Sequence, residues 1–425
     1  MESDVYKRAD KFAVDSWMHC ENKSIRYQMG VKKLSVIKQR NKKNRGCTMR
    51  RTFIGRAALF VIPLLLGSCE VASRVFAASS GPGSLKAKGE AEKQGYTFIT
   101  TNDEIVAGAR KEGSLRVVSQ FDPRTNKAWI NAFKKRYPFI DVYVDDATGT
   151  DPQQRLLLEL KAGRPTGWDA YDIAPDFYAE YLPYTKRFDI LRMATEKVLA
   201  IPTAMIDPKN RNVVSIASSA HGIAYNKKLI PEDKLPKSWE DFLKPEFKGR
   251  KFILDTRPQG FAALAAGLGE KWMIDYARKI AAQDPVWVRG QSRYFTSIAE
   301  GEHALFHLAY HYSCVRTAKK VLTDSLGCNI IEPVPVRIQN FLAVNNTAQH
   351  PNSGLLWLAF LASPEGQKII DDYEEFNRSL YSPDSKLAKL IQGKKVSVNN
   401  WDTINNSDKW QRMVLEAVGF PTAEK

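Results

Sequence analysis

The sequence predicts an α/β protein of two lobes, each a mainly parallel sheet flanked by helices, and three observations carry that expectation. A chain of 425 residues is too long for one compact core, and 44% hydrophobic with 26% charged content describes an ordinary globular protein. From Leu115 onward, short apolar β runs alternate with segments of helical spacing. The alternation then restarts after Ala220. A β-α-β order implies parallel pairing, because the helix carries the chain back along the sheet between one strand and the next.

Residues 1–78 hold 16 of the 63 Lys and Arg residues but only 6 of the 47 Asp and Glu, so the formal charge of +16 sits mainly in a leader. That placement removes the usual inference from a basic chain to nucleic acid or an anionic membrane surface. Residues 1–48 are polar, basic and aperiodic, without the aromatic interleaving or folded module of a nucleic-acid-binding arm. They are read as an upstream extension, with translation beginning at Met49. From there MRRTFIGRAALFVIPLLLGSCEVASRVFAA has the plan of an export signal over 49–77: a basic start, an apolar run from Ala57 to Leu66, then small residues. The run contains Pro63 and falls short of the about 20 residues that a spanning helix needs. Arg50-Arg51-Thr52-Phe53-Ile54 resembles a twin-arginine export motif. Leu66-Gly67-Ser68-Cys69 resembles a lipoprotein box with Cys69 as the acylated residue, while Val75-Phe76-Ala77 fits cleavage after Ala77. Either outcome places the mature domain in the periplasm or cell envelope. Residues 78–102, Gly-, Ser- and then Lys/Glu-rich, read as a flexible tether.

The folded region is expected from Asp103, and its first part, 103–218, opens with strand Leu115–Ser119, helix Thr125–Arg136 and strand Ile140–Val144. Helix Arg155–Ala162 and strand Ala170–Ala174 follow. The second lobe, 219–328, restarts with an apolar strand at Ala220–Tyr225, a short helix from Ser238, and strand Lys251–Asp255. Next come a helical stretch Gly260–Ala282 interrupted at Gly267 and Gly269, strand Val286–Val288, and a helix ending near Gly301. His303 and HLAYHYSCVRT (307–317) lead into a helix expected to reach about Ser325. Strands at Asn329–Val336 and Asn340–Val344 and helix Ser353–Leu361 belong to 329–425, which is expected to return to the first lobe and end as a polar surface wrap after Lys386.

Of the five cysteines, Cys314 and Cys328 lie in the folded part. Fourteen residues apart, they can bridge a helix and the following strand as a disulfide, or remain two buried thiols. No spacing of Cys and His suggests zinc.

Several passages, in order, carry a family resemblance over about 275 residues, from Glu112 to Ser385. EGSLRVVSQFDPRTNKAWINAFKKRYPFIDV (112–142) supplies an opening strand, loop and helix, and GRPTGWDAYDIAPD (163–176) the next strand and loop. AHGIAYNKKLIPEDKLPKSWEDFLKPEFKGRKFILD (220–255) looks like a crossing into a second lobe, and AQHPNSGLLWLAFLASPEGQKII (348–370) like the helix that closes the first. The chain resembles the type II periplasmic solute-binding proteins of ABC importers, in the branch that includes ferric-ion-binding proteins. The resemblance implies lobes joined by crossover strands that close on a solute, delivery to an inner-membrane ABC permease, a monomer, no resident cofactor and no catalysis. It implies no nucleic-acid partner.

The solute is left between two classes. For ferric iron, the resemblance implies a metal set of Asp176, His311 and Tyr312, with Glu180 as another acidic candidate. His311-Tyr312 stands where the family has a tyrosine pair, and the loop Ser119-Gln120-Phe121-Asp122 lacks the family's histidine. For a phosphonate, sulfonate or carboxylate, helix starts with short polar residues are needed. Gln120, Asp122, Gln259, Gln291 and Ser292, on loops after strands, are the ligand-binding candidates together with Asp176, His311 and Tyr312.

His303, His307 and His311 would share one helical face and a metal if 303–311 were helical. As a strand, four residues span roughly 13 Å, too far for one ion. The turn residues Glu300-Gly301-Glu302 favour a strand to about Ala309, with His311 and Tyr312 at the cleft and Tyr310 on the opposite face. Two other readings remain: an enzyme with Cys314 as nucleophile beside His311, and a ligand-presenting partner of a sensor.

Overall fold

The structure is a computed structural model that describes residues 82–164, 166–257, 259–321, 324–374 and 379–420. The extension at 1–48, the export signal, Cys69 and the first residues of the tether lie outside the described residues. Ten strands form a continuous sheet: β1 (Ser114–Ser119), β2 (Asp141–Asp146), β3 (Ala170–Ile173), β4 (Val214–Asn226), β5 (Ile253–Asp255), β6 (Val286–Val288), β7 (Leu305–Tyr310), β8 (Leu326–Asn329), β9 (Val334–Val344) and β10 (Val396–Asn399).

In the first lobe β1 lies between β2 and β3, parallel to both, with Val117 opposite Val144 and Ala170. In the second, β5 lies between β6 and β7, again parallel to both. The two halves meet through β4 and β9, which pair antiparallel from Val214↔Leu342 to Ala220↔Val336. Beyond Ala220, β4 continues alone into the second lobe, against β7 and β8. The other end of β9 lies beside β3 in the first lobe. Every residue of both strands is buried. Burial on both faces favours an apolar run, yet β4 carries Ser215, Ser218 and Ser219. Each hydroxyl is satisfied: Ser215 donates to the Gln339 carbonyl (3.2 Å), Ser219 to Gln339 Oε1 (3.2 Å), and Ser218 accepts from Leu380 N (2.8 Å).

Local signals set the helices. Asp122 caps helix Pro123–Arg136 by accepting from Arg124 N (2.9 Å), and Pro123 occupies the first turn, where its missing N–H costs nothing. The stretch Gly260–Ala282 divides into Gln259–Leu268 and Glu270–Ala281 at Gly269, whose φ of +92° suits a residue without Cβ.

Several elements differ from expectation. The tether is instead helix Pro82–Lys93 over much of its length, because Ala87 and Ala91, one turn apart, bury a narrow apolar stripe in the first lobe's core. Phe98 follows them into that core. The helix expected to reach Ser325 spans only His311–Ala318, and β9 is one strand where two were expected. The C-terminal part does more than return to the first lobe. Trp401 and Ile404 pack there, but Trp410 and Val414 of helix Ser407–Val418 join the second lobe's core, and Lys409 pairs with Glu270 at 2.9 Å.

Aromatic residues fill both cores. Trp129, Phe133 and Phe360 surround Trp357 in the first lobe with ring centroids 5.1 to 6.4 Å apart. Truncating Trp357 to Ala removes the hub of that cluster and is expected to cost about 3–5 kcal/mol of unfolding free energy, measurable by urea denaturation.

Candidate functional site

Strand ends and helix starts of both lobes surround a cavity of about 260 Å³ at the β4–β9 crossover. The first lobe contributes Gln120, Thr148, Gly149, Asp176 and Phe177. The second supplies Arg257, Gln291, Ser292, Tyr310, Tyr312 and Arg316, while Arg337, Gln339 and Asn340 of β9 form the floor.

Three guanidinium groups therefore face one carboxylate. That carboxylate, Asp176, is already engaged: Gln259 donates to it, and Arg257 lies 3.8 Å away in an ion pair between the lobes. Arg257 is also held by Asp255 at 2.6 Å. Among the described residues no carboxylate forms an ion pair with Arg316 or Arg337. Arg337 is only 7% exposed; one of its Nη atoms donates to Gln339 Oε1 (3.0 Å), but its Nε–H and the Gln339 amide nitrogen find no acceptor among the described residues. Two buried N–H donors beside a cationic floor mark a place where an acceptor is missing.

Two tyrosines line the cavity between the cations. Tyr310 and Tyr312 stack at 6.1 Å, with Arg337 4.6 Å and Arg257 5.5 Å from the Tyr310 ring and Arg316 5.7 Å from that of Tyr312. Burial raises the Tyr310 phenol above its ordinary value despite Arg257 and Arg337, so it remains a protonated donor at neutral pH.

Three helices also begin at the cavity without a side-chain cap: Thr150–Lys161 after Gly149, Ser292–Glu300 after Gln291, and His311–Ala318 after Tyr310. Their first N–H groups and the positive ends of their dipoles favour an anion.

Of the residues expected at the site, Gln120, Asp176, Gln291, Ser292 and Tyr312 line this cavity. Two of them are largely committed to the protein. Gln120 donates its amide to the Asp172 carbonyl (3.0 Å), and Gln291 accepts from Tyr310 N (2.7 Å) while donating to the Leu308 carbonyl (3.3 Å). Gln259 lines an adjacent cavity. Asp122 is the cap described above, paired with Arg124 at 3.0 Å, and does not line the cavity. His311 does not either: the turn from strand to helix drives its ring inward, where it is 6% exposed. Its removal from the cleft undoes the Asp176–His311–Tyr312 metal set. Among the described residues no group of three His, Cys, Asp or Glu side chains is placed to hold a metal. Glu180 pairs with Lys161, and His307 sits in the second lobe's core with Tyr276 Oη 2.7 Å from its Nε2.

Tyr310 was expected to face away and instead lines the cavity. A β-bulge explains the change: Ala309 pairs with Gly222 but Phe306 with Ala224, so His307 and Leu308 together oppose Ile223. Leu308 adopts φ +51°, and the Gln291 amide bridges the irregularity. Arg257, Arg316 and Arg337 were also missed, although Arg257 stands two residues before the candidate Gln259. Cys314 and Cys328 are joined by a disulfide, which leaves no thiol nucleophile beside His311.

A model of the bacterial extracellular solute-binding protein family matches residues 190–407, just over half of the chain, and the chain belongs to that family. No curated protein matches it by sequence. Its fold is the two-lobed one of periplasmic binding proteins. The iron-bound HitA of Pseudomonas aeruginosa is similar at 19% identity and TM-score 0.52, over 72% of this chain and 99% of that one. FutA (IdiA) of Trichodesmium, solved with iron and citrate, gives 17% identity and TM-score 0.56 over 73% and 100%. The ferric binding protein of Campylobacter jejuni gives 20% and 0.51 over 72% and 100%. At these identities the likeness is one of fold.

Burial holds His311 down at about 4 and His307 at about 3, against 6.5 for a free imidazole. Below about pH 6.5 the unfolded chain therefore binds protons that the folded chain refuses, so stability falls with pH down to those values and is unaffected above 6.5. Each histidine contributes a slope of about 1.4 kcal/mol per pH unit at most. Thermal melts from pH 7 to 4.5 are expected to show a smaller acid loss in His311→Gln than in the parent.

Proposed function

We propose that this protein is the solute-capturing component of an ABC importer and that its cargo is a small organic oxyanion, such as a phosphonate, sulfonate or carboxylate. The observation that carries this reading is the floor of the cleft: Arg337, buried with no carboxylate partner among the described residues, beneath three uncapped helix starts. A bare ferric ion would meet an excess of guanidinium charge there and one carboxylate already paired. The iron named for the structural relatives is a property of those proteins.

The mechanism follows from which lobe holds which group. Asp176 of the first lobe meets Arg257 and Gln259 of the second, so the lobes already share a charged contact across the cleft. An anion between Gly149, Ser292 and the arginines adds contacts to both lobes that exist only when they approach, and closure is thereby favoured. The closed form is what a membrane permease would read, with the protein acting as a monomer outside the cytoplasm. Cleavage after Ala77 or acylation at Cys69 would fix whether it is free or anchored. The family is one of transport proteins, and a binding role without turnover is the reading adopted here.

A thermal-shift series tests the cargo. Methylphosphonate, methanesulfonate or acetate is expected to raise the melting temperature, by an amount equivalent to about 2.7 kcal/mol at a hundredfold excess over Kd. Arg337→Gln should weaken that anion about 10- to 100-fold, the range of a lost charge-assisted hydrogen bond. Tyr312→Phe should weaken it less and leave the unliganded melt unchanged. A shift and a visible tyrosinate band with ferric ion alone, with none of the anions acting, would sink the oxyanion reading.

A further inference from the structure

Behind the first cavity lies a second, of about 520 Å³. The two share Pro175, Asp176, Phe177, Arg257 and Gly290, and side chains partition them: the contacts of Asp176 with Gln259 and Arg257. The partition is made by side chains, so rotations of Gln259 and Arg257 away from Asp176 would open one cavity to the other. Resting on the oxyanion reading above, we infer that the second cavity is a subsite for the organic tail of the cargo, and that this tail is uncharged with a hydroxyl or amide at its end.

The lining argues for each part. Ile404, Trp410 and Leu415, none of which lines the first cavity, offer apolar surface, so a carbon chain gains there what a bare oxyanion cannot. Four carboxylates, Asp151, Asp176, Glu180 and Asp408, line the cavity against two guanidinium groups, Arg257 and Arg289, an excess that discourages a second anionic group. Two polar atoms set the end group. Asn399 is 3% exposed, and its Oδ1 has no donor among the described residues. The indole N–H of Trp410 likewise has no acceptor among them. A hydroxyl or an amide both gives and takes a hydrogen bond, so either end group matches an unpaired acceptor and an unpaired donor. Both residues come from the C-terminal segment, β10 and helix Ser407–Val418, which packs against the two lobes together. That segment thus adds a wall to the cleft as well as a tie between its halves.

Calorimetric titration of the full mature protein tests the subsite with matched ligands in two head-group series: methylphosphonate against a hydroxyhexyl phosphonate, and acetate against a hydroxyhexanoate. In at least one series the tailed ligand is expected to bind at least tenfold tighter than the short one, and a carboxylate in place of the terminal hydroxyl should remove the gain. Trp410→Phe keeps an aromatic ring and deletes the N–H, and Asn399→Leu deletes the acceptor; each should cut the gain for the hydroxyl-ended ligand severalfold. Short anions that bind as tightly as tailed ones would overturn the subsite and leave the oxyanion reading standing. A gain that survives both substitutions would likewise overturn it, since the tail would then lie elsewhere. Failure of every anion in both series would instead overturn the oxyanion reading, and the subsite with it.

Discussion

The antiparallel pairing of β4 with β9 is the constraint on which the rest of the molecule depends. β4, buried on both faces, runs from the first lobe's sheet into the second's, and β9 pairs with it along the crossover, so the two lobes share one continuous strand. Because a strand side chain alternates between faces, the middle of this pair must show something at the point where the lobes part. That point is occupied by Arg337, Gln339 and Asn340. The crossover is therefore at once the connection between the lobes and the floor of the cleft.

Placing an arginine on that floor carries an electrostatic cost, because a buried cation without a counter-charge is expensive to hold. The protein offsets it partially and locally. Gln339 accepts one Nη–H and the Tyr310 ring faces the guanidinium, while Asp255 and Asp176 are spent on Arg257. What remains is a positive site with donors lacking acceptors, ringed by helix starts that add partial charge of the same sign. On the oxyanion reading proposed above, such a site is under-satisfied when empty and satisfied when an anion enters, and that difference would supply both affinity and closure.

Much of this was legible in the chain. The order of strands and helices, the restart after Ala220, the break at Gly269 and the lobed organisation follow from apolar periodicity and glycine placement, both local properties. The short polar loops at 120, 176, 259 and 291 were visible as loops after strands, where ligands of α/β sheets collect. Less visible was what those side chains would do. Gln291 reads as a ligand group in the sequence, whereas in the fold its amide is consumed in holding the bulge at Leu308. His311 reads as one of a cleft-facing pair, yet the first turn of its helix takes it inside.

The sequence by itself determined the fold class, the two cores and the position of the loops, since periodicity and turn chemistry act over a few residues at a time. Only the tertiary structure decided which face of each loop meets the cleft. One extra residue in β7 inverts the alternation and brings Tyr310 to the cavity, and arginines 21 to 80 residues apart along the chain converge there: Arg257 from the loop after β5, Arg316 from the helix after β7, and Arg337 from within β9. Pairing register and strand order are long-range properties, and the charge of the cleft is set by them.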